Sequence, residues 1–172
     1  SLSIFGGNTM GSTSNGGNIV LNGGSGGLNG GNIGIEGGSG VNIGGNVVVV
    51  SGSSRDGSGN VSVASSMNTN GVGSSGSVIL STGNSNYESG DVMMMSGDVV
   101  SGASGALLLR SGTSVESDGG DVMMSAGSSK SHMRSGGAVH VSGGESLNGV
   151  GGDGGDVVII CGSSVGGVGG YM

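Results

Sequence analysis

The residues best placed to do chemistry lie near the carboxyl end, where Gly151-Gly152-Asp153-Gly154-Gly155-Asp156-Val157-Val158-Ile159 fits the pattern G-G-x-G-x-D-x-U-x. In that pattern, turn carboxylates on stacked repeats hold calcium, which makes Asp153 and Asp156 the ligands to test first. The fit occurs once. The nearest related segments, Asp118-Gly119-Gly120-Asp121 and Glu88-Ser89-Gly90-Asp91, lack the leading glycines, so solvated corner aspartates are the simpler account and no cofactor is expected. His132 and His140 stand eight residues apart with no neighbouring Cys and no H-x-x-x-H spacing. No G-x-S-x-G nucleophile motif sits between a strand and a helix, and G-x-G strings carry no nucleotide signal in a chain with 46 Gly. The expectation is a protein that is not an enzyme. Cys161 is the one cysteine, so no intrachain disulfide forms, and its place beside Ile160 predicts a buried, inert thiol. Asn60-Val61-Ser62 is the one N-linked sequon, and the Ser-rich corners offer hydroxyls for O-linked sugar.

What must position these residues is a repeat. Asn18-Ile19-Val20-Leu21 running to Gly24 sets the form, and Asn32-Ile33-Gly34-Ile35, Asn46-Val47-Val48-Val49 and Asn60-Val61-Ser62-Val63 restate it. Further copies begin with Val78 and Leu80, Val92 and Met94, Leu107 and Leu109, Val122 and Met124, Val139 and Val141, and Val157 and Ile159, with Leu2 and Ile4 as an incomplete first copy. Successive copies are 14 to 18 residues apart, while the apolar pair keeps its spacing, so the extra residues belong to a tolerant loop. Repeats this short cannot each enclose a core and must stack. The fold class predicted is therefore all-β: a flattened parallel β-solenoid of about eleven coils, 14 to 18 residues each, forming one domain over residues 1–172.

In such a coil one strand carries the inward apolar pair. The return side is Gly/Ser-rich with apolar residues at Leu28, Ile43, Val72, Tyr87, Val115, Leu147 and Val165. Glycine would permit close approach of the two sides and supply positive φ at the corners. Asn18, Asn32, Asn46 and Asn60, at the coil starts, are expected to stack as an amide ladder. At the same position Asp91, Asp121 and Asp156 alternate with neutral residues, which keeps like charges apart. Val48, Val50, Ile79, Met93, Met95, Leu108, Met123, Val158 and Ile160 fall at outward positions. An outward apolar stripe calls for a cover, and lateral packing on a second copy is the expectation, with Met as an adaptable contact. Unprotected strand edges at Leu2 and at Gly170-Tyr171-Met172 predict head-to-tail stacking or continuation of a longer polypeptide.

A net charge of −7 with Arg55, Arg110, Lys130 and Arg134 as the fixed cations argues against nucleic acid and an anionic membrane surface as partners. No apolar run approaches the ~20 residues of a membrane span, and no basic segment with an apolar core marks a signal peptide. Hydrophobic residues make up 33% of the chain and recur at period two, which argues for order despite a linker-like Gly/Ser content. Thr9, Thr13, Thr69, Thr82 and Thr113 form no ladder that would suit an ice surface.

Through units such as Gly119-Gly120-Asp121-Val122-Met123-Met124-Ser125-Ala126-Gly127-Ser128-Ser129, the chain resembles Gly/Ser-rich β-solenoid repeat proteins of microbial or algal extracellular fibres and surfaces. The nonapeptide, in turn, resembles the calcium-binding unit of RTX β-rolls. The first resemblance implies an extracellular or cell-surface structural role. The expected function is a structural protein that assembles end to end and sideways with copies of itself into an extracellular filament. The alternative is a monomeric β-solenoid binding module, an adhesin stalk or an ice binder.

Overall fold

A computed structural model describes residues 1–11, 13–68, 73–147, 149 and 151–171. Among the described residues there is no helix and no strand, and no side chain is buried. This corrects the all-β reading: the chain is not a flattened parallel β-solenoid of eleven coils. The backbone hydrogen bonds say why. A solenoid needs bonds between residues one coil apart, 14 to 18 positions along. The bonds present instead close short local loops, such as Gly24 to Gly31 and Gly144 to Gly155. Two apolar side chains per repeat cover too little surface to offset the ordering of a whole coil, so like segments recur without pairing.

What the chain builds is an alternation of arms and loops. The residue before each coil start is glycine in all ten full repeats and again at Gly170. Eight of these glycines, Gly17, Gly31, Gly45, Gly59, Gly120, Gly137, Gly155 and Gly170, donate their N–H across a neck. The acceptors are the carbonyls of Gly7, Gly24, Gly38, Gly52, Gly112, Gly127, Gly144 and Gly162, at 2.7 to 3.3 Å. From a donor glycine to the residue just ahead of the next neck acceptor is six positions in six arms: 17–23, 31–37, 45–51, 120–126, 137–143 and 155–161. The loops between absorb all variation in repeat length.

At particular neck positions glycine is required by proximity rather than by φ. A Cβ on Gly17 would lie 2.8 Å from the Gly7 backbone nitrogen, and one on Gly6 would run into the Gly17 carbonyl oxygen. Positive φ is confined, among the described residues, to Gly73, Gly102 and Gly151, each at a bend or turn. The residue ahead of each of the eight acceptors is small, namely Gly6, Gly23, Gly37, Ser51, Ser111, Ala126, Gly143 and Cys161, and Ser65, Thr82 and Ser96 hold the corresponding sequence position in other repeats. Five of these, Gly6, Ser51, Ser111, Gly143 and Cys161, are the only described residues that are not fully classed as exposed. The neck is thus where the chain most nearly covers itself.

Each loop turns at a bend, many of them held by serine. The Oγ of Ser114 accepts from the N–H of Ser117 at 2.9 Å, and Ser164 does the same for Gly167 at 2.9 Å. Ser54, Ser85 and Ser129 accept from Asp56, Tyr87 and Ser131. A hydroxyl that satisfies a nearby backbone donor stabilises a turn where no ladder is available. The chain divides into two units, Ser1–Asn84 and Ser85–Met172, each built of the same arms and loops.

Candidate interaction surface

An arm such as 17–23 or 155–161 places five residues between its two ends, and their side chains face water. In the arm 155–161, Val157 is 48% exposed and Val158 is 71% exposed. The same order, first apolar position below the one after it, recurs in Ile19-Val20, Val47-Val48, Val92-Met93, Leu107-Leu108 and Val122-Met123. The first position sits beside the neck: a Cβ on Gly6 would touch Cγ1 of Ile19 at 3.7 Å. The period-two pattern therefore survives as a gradation of exposure, and the inward pairs expected to form a core form none.

Val48, Val50, Ile79, Met93, Met95, Leu108, Met123, Val158 and Ile160 are all exposed. They are joined there by Val47, Val49, Leu80, Met94, Leu109, Met124 and Ile159, which period two had assigned to an interior. Loop tips add a third set. Leu28, Tyr87, Val115 and Val165 stand at or beside chain bends with their side chains open, as do Val41, Val100 and Met133, which sequence reasoning passed over. The signal for those three was an apolar residue in the variable stretch between arms. Ile43 and Leu147 are exposed as well, while Val72 and Thr69 lie outside the described residues, as does Met172.

The polar candidates are dispersed. Asn18, Asn32, Asn46 and Asn60 each follow a neck glycine and are exposed, and no hydrogen bond among the described residues joins one of them to the next. Asp153 and Asp156 are exposed on either side of Gly154-Gly155, whose second member donates to Gly144 at 2.9 Å. Among the described residues no three His, Cys, Asp or Glu side chains gather closely enough to hold a metal ion. The pair therefore has no carboxylate company toward the roughly six to eight oxygens calcium takes. His132 sits at a loop bend and His140 in the middle of an arm, both exposed, and no pocket opens among the described residues. Cys161 is half-exposed, which corrects the buried thiol. It occupies the small-residue place at a neck, where a Cβ on Gly170 would meet its own Cβ at 3.6 Å.

Charge separates the two units. Ser1–Asn84 carries three charged side chains, Glu36, Arg55 and Asp56, for a net −1. Ser85–Met172 carries nine carboxylates against Arg110, Lys130 and Arg134, for a net −6. The coil-start position follows suit, with Asn18, Asn32, Asn46 and Asn60 in the first unit and Asp91, Asp121 and Asp156 in the second. No helix of the described residues is long and apolar enough to cross a membrane. No family model, no curated protein and no solved structure matches the chain.

Proposed function

We propose that this chain is a structural protein that associates with copies of itself into extracellular fibrous material, without catalytic activity. The observation that carries the reading is surface. The chain exposes 17315 Å², against about 7,400 Å² for a compact chain of its mass. Val, Ile, Leu and Met on the arms are part of that exposed surface. Apolar area in water is a driving force for association, and patches beyond a few hundred Å² are interaction sites.

A second copy is the partner that fits best. Arms recur at a fixed six-residue span between glycine necks, and another array of the same span can match several of them at once. Low charge density and Gly/Ser loops suit a material. The extracellular setting rests on the compositional likeness to fibre proteins.

Sedimentation velocity of the purified chain over a wide concentration range, with electron microscopy of the same samples, tests the reading. Growth of species larger than the monomer, and filaments or networks on the grid, are expected. A chain that remains monomeric at every concentration overturns it and leaves a binding module for some other partner.

A further inference from the structure

We propose that copies meet first through the Ser1–Asn84 unit, like unit against like unit, while the Ser85–Met172 unit is held in solvent by its own charge. The inference rests on the self-association reading and adds which half does the work. Both units display the same kind of apolar arm: Ile19-Val20-Leu21, Val47-Val48-Val49-Val50 and Val78-Ile79-Leu80 in the first, Val92-Met93-Met94-Met95 and Val157-Val158-Ile159-Ile160 in the second, all exposed. Apolar area alone gives no preference. Charge does.

No charged side chain occurs from Ser1 to Ile35, none from Gly37 to Ser54, and none from Gly57 to Tyr87. Two such units approach with no like-charge repulsion beyond a net −1 each, and their coil starts carry Asn amides, which donate to and accept from a copy of themselves. In the second unit three of the five coil starts carry Asp91, Asp121 and Asp156, each one residue ahead of the first apolar residue of its arm, and the other two carry Ala106 and Ala138. Matching such an arm with its copy brings carboxylates together in the act of covering the valines. Like charges directly opposed are destabilising. The Met-rich arms are the more adaptable surface and the acidic starts the stronger obstacle, so the first unit nucleates and the second joins only when its charge is screened or removed.

The experiment compares three full-length variants with the parent chain by light scattering at low salt, reading the onset concentration of association. Val48→Ser with Val50→Ser removes apolar area from the first unit and is expected to raise the onset at least about tenfold. Met93→Ser with Met95→Ser removes it from the second and is expected to leave the onset within about threefold of the parent, since the second unit stays solvated at low salt. Asp91→Asn with Asp121→Asn and Asp156→Asn removes the acidic coil starts of the second unit and is expected to lower the onset, as is added salt on the parent. Equal effects of the Val and Met pairs, or a triple Asn variant no more prone to associate than the parent, overturn the polarity while leaving self-association standing. No association of the parent at any salt overturns the underlying reading instead.

Discussion

At the scale of single residues, two adjacent kinds of glycine behave differently. Gly17 and Gly7 form one neck, with the Gly17 N–H donating to the Gly7 carbonyl at 2.8 Å. A Cβ on Gly7 would meet nothing within 4 Å, whereas one on Gly17 would lie 2.8 Å from backbone. Gly7→Ala is therefore expected to leave the neck intact. Gly17→Ala should open it, removing a bond of about 1 kcal/mol and raising the amide exchange rate at that position. Equal exchange in the two variants would mean that the neck is not held by close approach. Composition alone hid this distinction, because 46 glycines look interchangeable until the chain's own contacts sort them. Cys161 makes the same point from the other side: beside Ile160 it reads as an interior thiol, and against Gly170 it is one more small residue at a neck.

At the scale of elements, arms and loops differ in what they tolerate. Closing loops whose ends are 7 to 11 residues apart, as from Gly38 to Gly45 and from Gly144 to Gly155, costs about 1.7 to 2.1 kcal/mol in the length-dependent part alone. One exposed hydrogen bond returns about 0.5 to 1.5 kcal/mol. A neck by itself is thus near balance or slightly unfavourable, and the serine-held bends supply part of the remainder. Because the cost grows only logarithmically, four extra residues between Val41 and Asn42 should add about 0.4 kcal/mol and leave the onset of association unchanged. One extra residue between Val48 and Val49 breaks the six-position span of that arm and should raise the onset. Light scattering on the two insertion variants checks both, and a loop insertion as damaging as the arm insertion would remove the distinction.

The loop–arm division was legible in the sequence from the constant apolar pair and the variable spacing. The β-solenoid was not, although the same repeats suggested it. Asn18, Asn32, Asn46 and Asn60, or Val47 and Val49, recur in a way that shows the segments are alike. Likeness does not show that they lie side by side, because pairing depends on whether a coil's worth of burial outweighs its ordering. Two apolar side chains in 14 to 18 residues leave that balance unfavourable within one chain. The exposed arms were legible only at Val48, Met93 and the other outward positions. Val47 and Met94 were assigned to a core that the chain does not form.

For the molecule as a whole, the quantity that decides behaviour is the roughly 10,000 Å² by which its surface exceeds that of a compact chain of equal mass. A stable protein–protein contact covers about 800 Å² on each partner, so one contact leaves most of the excess open. Association should therefore continue past the dimer, and sedimentation should show a broad, concentration-dependent distribution with no preferred small oligomer. The driving force is apolar hydration, which weakens on cooling and strengthens with excluded salts such as sulfate. Assemblies formed warm should shrink when chilled, regrow on rewarming, and grow further in sulfate. Lowering the pH toward the isoelectric point of 4.3 should also enlarge them, since net charge that keeps chains apart is then lost. If cooling leaves the distribution untouched and acidification dissolves it, polar contacts rather than the valine, leucine and methionine arms hold the copies together.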